Sequence, residues 1–180
     1  PGSVYSAMLE NGKIDNPYYG ENQYKAVEFS DSEYVFEKGF EIDPELSACR
    51  KLYLRFNGID TLADVELNGV RLGKTENMHC TYEFDITNAV SRNSNILRVK
   101  LHSPIEYITK QQRRNYAWGV ETTMDGFPHI RKAHYMFGWD WGPQLPDLGI
   151  WRDVEIVGVD AGRIESVYVR QEHLGNAVRL

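Results

Sequence analysis

The sequence predicts an all-β domain, an antiparallel β-sandwich of the jelly-roll type with short helical segments, on three observations. Apolar and polar residues alternate along several short runs, turn residues separate those runs, and one Asn-Gly pair stands where a tight hairpin needs it. A period of two places each apolar set on one face of a sheet, so each run reads as a strand with a single buried face.

Residues 3 to 11 fit a short helix before the first strands. Ser3 can cap it, Val4, Met8 and Leu9 share a face, and Gly12 stands where the helix stops. Between 33 and 102 the strand pattern takes over. Leu52, Leu54 and Phe56 alternate with Tyr53 and Arg55, Ala63, Val65 and Leu67 with Asp64 and Glu66, and Leu97, Val99 and Leu101 with Arg98 and Lys100. Asn68-Gly69 joins the second of these runs to Val70-Arg71-Leu72, and both residues tolerate the positive φ angles of a type I′ turn. Antiparallel pairing follows from that turn.

Residues 104 to 118 fit a second helix with Ser103 as cap and Pro104 in its first turn, leading into a loop through Gly119 and Gly126-Phe127-Pro128. Strands are expected again at about 150 to 158, where Val154 and Ile156 alternate with Asp153 and Glu155, and at 163 to 170. A Gly175-Asn176 turn then leads into 177 to 180, where another strand begins. With no initiator Met at the start, the chain reads as a fragment of a longer protein.

Composition narrows the function classes. The 180 residues carry 42% hydrophobic and 26% charged side chains, enough for one globular domain and a remainder. A net charge of −6 argues against nucleic acid as a partner, because Lys110 with Arg113 and Arg114 is the only basic cluster. These arginines, with Glu121, read as a solvated surface segment. No apolar run approaches the length of a membrane span. Two cysteines, Cys49 and Cys80, do not make a disulfide scaffold, and the compartment stays open.

The most unusual stretch runs from Arg131 to Pro143 as Arg-Lys-Ala-His-Tyr-Met-Phe-Gly-Trp-Asp-Trp-Gly-Pro, followed by Gly149-Ile150-Trp151-Arg152-Asp153. Trp139, Trp141 and Trp151 are three of the chain's 4 tryptophans. An indole face suits the flat C–H patch of a pyranose, and a carboxylate such as Asp140 accepts hydrogen bonds from two neighbouring hydroxyls. On the residues alone two readings stay open. Either Trp139, Asp140 and Trp141 form a sugar grip on a tight loop set by Gly138 and Gly142-Pro143, or the tryptophans fill the core and Asp140 caps a turn. His129 and Arg131 flank the stretch and are candidates for the rim of such a site. His129 and His134 lack the one-face spacing of a zinc motif, and His79, His102 and His173 are scattered, so no metal or cofactor is expected. Nucleophile-elbow and phosphate-loop glycine patterns are absent too.

The Arg131–Pro143 run, with Gly149 to Val154 behind it, closely resembles the N-terminal sugar-binding domain of β-mannosidases in glycoside hydrolase family 2. Pro1–Val4, Asp15–Gly20, Gly58–Ala63, Leu67-Asn68-Gly69, Asn77-Met78 and Tyr82–Asp85 resemble that domain as well. The resemblance implies a galactose-binding-like jelly roll over residues 1–160 whose first strand precedes Pro1. It further implies that residues 161–180 open an immunoglobulin-like domain and that a catalytic (β/α)₈ barrel of about 250 residues lies outside this chain.

By the same resemblance, Asp140 hydrogen-bonds hydroxyls of the terminal mannose away from its anomeric carbon, and Trp139 and Trp141 shape the pocket wall. The implied partners are a β-mannoside or oligosaccharide substrate and the two further domains. A retaining reaction needs two carboxyl groups about 5 Å apart, which the resemblance places on the barrel with the acid/base in an Asn-Glu pair. No Asn is followed by Glu here, so no catalytic residue is expected in this chain and it should be inactive alone. A free-standing carbohydrate-binding module, or the same domain from an enzyme of another β-glycoside, are the alternatives.

Overall fold

The computed structural model describes residues 2–180, so Pro1 of the Pro1–Val4 run lies outside the described residues. In chain order the elements are β1 (Gly2–Ser3), α1 (Val4–Glu10), α2 (Asn22–Ala26), β2 (Tyr34–Phe40), α3 (Pro44–Ser47), β3 (Lys51–Phe56), β4 (Ala63–Leu67), β5 (Val70–Thr75), β6 (Tyr82–Asp85) and β7 (Asn95–Leu101). They continue with α4 (Pro104–Arg114), β8 (Phe137–Trp139), β9 (Gly142–Gln144), β10 (Gly149–Ile150), β11 (Val154–Val159), β12 (Glu172–Leu174) and β13 (Ala177–Arg179).

Two antiparallel sheets, ordered β2-β7-β4-β5 and β11-β3-β6, make the expected jelly-roll sandwich. Its interior is built by the alternation read from the sequence. Leu52, Leu54 and Phe56 of β3, Ala63, Val65 and Leu67 of β4, and Leu97, Val99 and Leu101 of β7 are all buried in one cluster with Ile59, Leu145 and Leu148. Burying each of the larger of these side chains contributes about 1.5–3 kcal/mol. The β4–β5 turn has φ of 52° at Asn68 and 80° at Gly69, as a type I′ turn requires.

The helices follow their caps but differ in extent or orientation. Ser3 and Ser6 form a reciprocal capping box at the start of α1, with Ser3 Oγ accepting from the Ser6 N–H at 3.2 Å. The buried face of α1 is Val4 and Tyr5 with Met8, while Leu9 is exposed, because the Tyr5 hydroxyl bonds Ser30 at 2.6 Å and turns the helix towards it. Helix α4 ends at Arg114 rather than 118. Its buried Gln112 accepts from the Ala117 N–H at 3.0 Å and donates to the Ala117 carbonyl at 3.0 Å, which folds the chain back over the last turn.

The C-terminal part departs further from expectation. The strand at 150 to 158 is split into β10, which pairs with β1, and β11, which pairs with β3. No strand forms at 163 to 170. That segment is tied down by a side chain instead of a backbone ladder, since Arg163 pairs with Glu83 at 2.6 Å and lies over the Tyr53 ring at 4.9 Å. The Gly175-Asn176 turn does close a hairpin, β12 with β13, exposed throughout. Among the described residues no helix is long and apolar enough to cross a membrane.

The outer sheet faces carry ion pairs that make a pH prediction. Lys51 meets Asp85 at 2.7 Å and Lys100 meets Glu33 at 2.6 Å. Hydrogen bonds from Lys51 and Thr87 lower the Asp85 carboxyl to about 2, and Lys100 with His102 lowers Glu33. Burial would raise Glu83, but Arg163 and Arg55 outweigh it and lower it. A carboxylate whose folded pKa is depressed stabilises the fold above its unfolded value and loses that contribution as pH falls through the folded value. We therefore expect these carboxylates to contribute their full stabilisation above the unfolded values of 3.8 and 4.5 and to lose it as pH falls from there towards about 2, so that Tm drops across that window. In scanning calorimetry Asp85→Asn should remove part of that fall, and a flat Tm down to pH 2 would refute it.

Candidate functional site

The Trp-Asp-Trp stretch forms a β-hairpin. Strands β8 and β9 pair as Phe137↔Gln144 and Trp139↔Gly142, leaving Asp140-Trp141 as a two-residue turn. Its root is apolar: Phe137 is fully buried against Ile108 and Ile130 in a second small core. Gly138 takes φ 93°, and a Cβ there would come within 2.5 Å of Gln144 Cγ, so the Gln144 side chain lies across a position only glycine fills easily. The Gln144 N–H donates to Gln23 Oε1 at 3.3 Å, which braces the hairpin against α2.

At the tip the side chains face solvent. Trp139 is 45% and Trp141 80% exposed, and Asp140 is exposed with no hydrogen-bond or ion-pair partner among the described residues. The alternative in which these tryptophans fill the core and Asp140 caps a turn therefore does not hold. Trp151, 38% exposed, sets one edge of its ring against Gly58 and carries the Arg152 guanidinium 4.1 Å over its face. Trp139, Asp140 and Trp141 line a cleft of about 530 Å³, and residues from far away in the chain complete it: Tyr18, Gln23, Tyr24 and Thr122. That volume is within the usual range for ligand sites of roughly 300–1,000 Å³.

Beneath the hairpin lies a buried ionic network that no sequence pattern revealed. The Lys132 side chain is wholly buried, and its ammonium contacts Asp60 Oδ2 and donates to the Asp147 carbonyl at 2.5 Å. Asp60 also accepts from the Thr61 hydroxyl, and Asp147 Oδ1 accepts from the N–H groups of Tyr5 at 3.0 Å and Leu148 at 2.8 Å. Burial pulls the Lys132 amine down against the opposing pull of Asp60, and burial raises the Asp147 carboxyl. Lys132 precedes β8 and Asp147 follows β9, so the cluster clamps both feet of the hairpin to the β3–β4 connection.

The two rim candidates stand elsewhere. His129 bonds Gln112 Oε1 at 2.8 Å, and the Arg131 carbonyl accepts from the Met78 N–H at 3.0 Å. Both line a separate depression of about 410 Å³ with Glu76, Tyr82 and Tyr107, so the structure does not bring them to the hairpin cleft. Of the other residues lining that cleft, Tyr18 falls in the Asp15–Gly20 run, which carried only a resemblance. Gln23, Tyr24 and Thr122 had no signal at all. Among the described residues no group of three or more His, Cys, Asp or Glu is placed to hold a metal.

A family described as the glycosyl hydrolase 2 galactose-binding domain-like domain matches residues 1–152. The chain belongs to that family. Its matched span contains the whole hairpin and its Lys132 clamp and ends before the exposed segment 161–180. The β-mannosidase of Bos taurus is 40% identical to this galactose-binding-like domain over 166 residues, which is 87% of the chain and 18% of that protein. The β-mannosidase of Mus musculus is 36% identical over 173 residues, 92% of the chain and 20% of that protein. Among solved structures, the β-D-mannosidase of Dictyoglomus thermophilum superposes with a TM-score of 0.91 at 34% identity, covering 99% of this chain and 22% of that one. The chain thus spans about a fifth of the length of these relatives.

Proposed function

We propose that this galactose-binding-like domain is the N-terminal sugar-binding part of a retaining, exo-acting β-mannosidase, and that its hairpin forms one wall of the substrate pocket. The observation that carries the reading is Asp140, an exposed carboxylate without a partner among the described residues, held between two exposed indoles on a braced two-residue turn. Unpaired acceptors at a rigid tip are suited to bind neighbouring hydroxyls through charge-assisted hydrogen bonds, and the indole faces are suited to the C–H surface of the ring. The identity to β-mannosidases across most of the chain supports mannose as the sugar.

In this mechanism the chain binds and orients. Asp140 holds hydroxyls remote from the anomeric carbon and Trp139 and Trp141 fix the ring plane, so that the glycosidic bond is presented to two carboxyl groups about 5 Å apart on a barrel. One attacks the anomeric carbon, and the other protonates the leaving oxygen and then activates water. Residues 161–180 open the immunoglobulin-like domain between the two. His129 and Arg131, in their separate depression, have no part in this pocket.

The test is the mass of the native polypeptide, detected on a denaturing gel of source extract with an antibody raised to this chain. A band exceeding 20.8 kDa by at least a barrel of about 250 residues is the expected result. A band near 20.8 kDa would overturn the reading in favour of a free-standing sugar-binding module.

A further inference from the structure

The hairpin occupies only one side of its cleft. Lining it too are Tyr18 and Tyr24, which are 78% and 65% exposed, with Gln23, Thr122 and Gln144. Exposed tyrosines are unremarkable singly, but these two are held in place. Pro17 is buried beside Tyr18, the Tyr18 N–H donates to Asn16 Oδ1 at 3.0 Å, and the Asn22 side chain donates to the Asn16 carbonyl at 3.0 Å. Tyr24 sits on α2, whose Gln23 is the residue that grips the hairpin through the Gln144 N–H. The backbone that carries both tyrosines is therefore tied to the same frame as the hairpin, and the cleft they share is about 530 Å³.

We infer that Tyr18 and Tyr24 form a second sugar subsite, which holds the leaving-group sugar of an oligosaccharide while the hairpin holds the terminal one. This rests on the sugar-binding reading of the hairpin. An exo-acting enzyme removes the terminal unit, so nothing precedes that unit, and any further sugar in the same slot belongs to the leaving group. Each tyrosine offers a ring face for stacking, and their hydroxyls are spare donors, since neither forms a hydrogen bond with another described residue.

The experiment compares two substrates in the full-length enzyme: methyl β-mannoside, whose leaving group is too small to reach a second subsite, and a β-linked mannobiose. Tyr24→Ala should lower kcat/KM for the mannobiose about tenfold and leave methyl β-mannoside within about twofold, the scale of one lost aromatic contact. Tyr24→Phe, which keeps the ring face, should restore most of the loss. The urea midpoint should stay unchanged, because the residue is largely exposed. Equal losses on both substrates, or none on either, would overturn the second subsite. Asp140→Ala separates the two levels: a loss on both substrates leaves the hairpin reading standing even if Tyr24→Ala fails, and no loss on either removes the reading beneath it.

Discussion

Replacing Lys132 with Met is expected to destabilise the fold by about 3–5 kcal/mol, the cost of leaving a buried charge without its partner. Asp60 is 4% exposed and Lys132 2%, so water cannot take the place of the ammonium at Asp60. At roughly 2–4 °C per kcal/mol for a domain of this size, Tm should drop by about 6–20 °C. The same principle supplies the control. Buried ion pairs are replaced at little cost when both charges go together, so Lys132→Met with Asp60→Leu should recover much of the loss. If Lys132→Met alone leaves Tm within a degree or two, Lys132 does not clamp the hairpin.

The clamp matters beyond stability because of its position. Lys132 touches the segment after β9 through the Asp147 carbonyl and the β3–β4 connection through Asp60, so both feet of the hairpin share one buried anchor. Loosening it frees the tip that carries Asp140 to move, and a displacement of about 1 Å in a positioning group costs on the order of 10²-fold in rate.

Asp140→Ala is the second large effect, on activity and not on the fold. In the full-length enzyme kcat/KM should fall about 10²-fold or more, since hydroxyls desolvated in the pocket would lose their acceptor. Stability should change by no more than about 0.5 kcal/mol, because the exposed Asp140 has no partner among the described residues to lose. That separation distinguishes a grip from a structural residue: Lys132→Met moves Tm first, and Asp140→Ala moves only kinetics. Unchanged kinetics would remove the role given to Asp140.

The sandwich was legible because its strands bury one face each. Alternation at 52–56, 63–67 and 97–101 translated directly into the core, and Asn68-Gly69 into its turn. Where the pattern misled, long-range side chains decided the outcome. Gln112 ends α4 early by holding Ala117, and Arg163 fixes the segment after β11 through Glu83 and Tyr53 without a ladder, which apolar periodicity cannot register.

The site divides the same way. The Trp139-Asp140-Trp141 tip was readable as a run of unusual composition. The partners that hold it, Asp60 for Lys132 and Gln23 for Gln144, stand 72 and 121 residues away in the chain. Tyr18 and Tyr24, which line the same cleft, are likewise distant in the chain. Nothing local in a sequence reports a contact over such separations, and flanking position alone suggested His129 and Arg131, which the fold turns into a neighbouring depression.

The most direct measurement is a crystal structure of the full-length enzyme with a non-hydrolysable mannose-configured ligand. The Asp140 carboxylate should lie about 2.6–3.2 Å from two adjacent hydroxyls remote from the anomeric carbon, with the Trp139 and Trp141 faces against the ring. A ligand seated on the barrel with Asp140 bound only to protein, or turned away to solvent, would contradict the assignment of this hairpin to the substrate pocket.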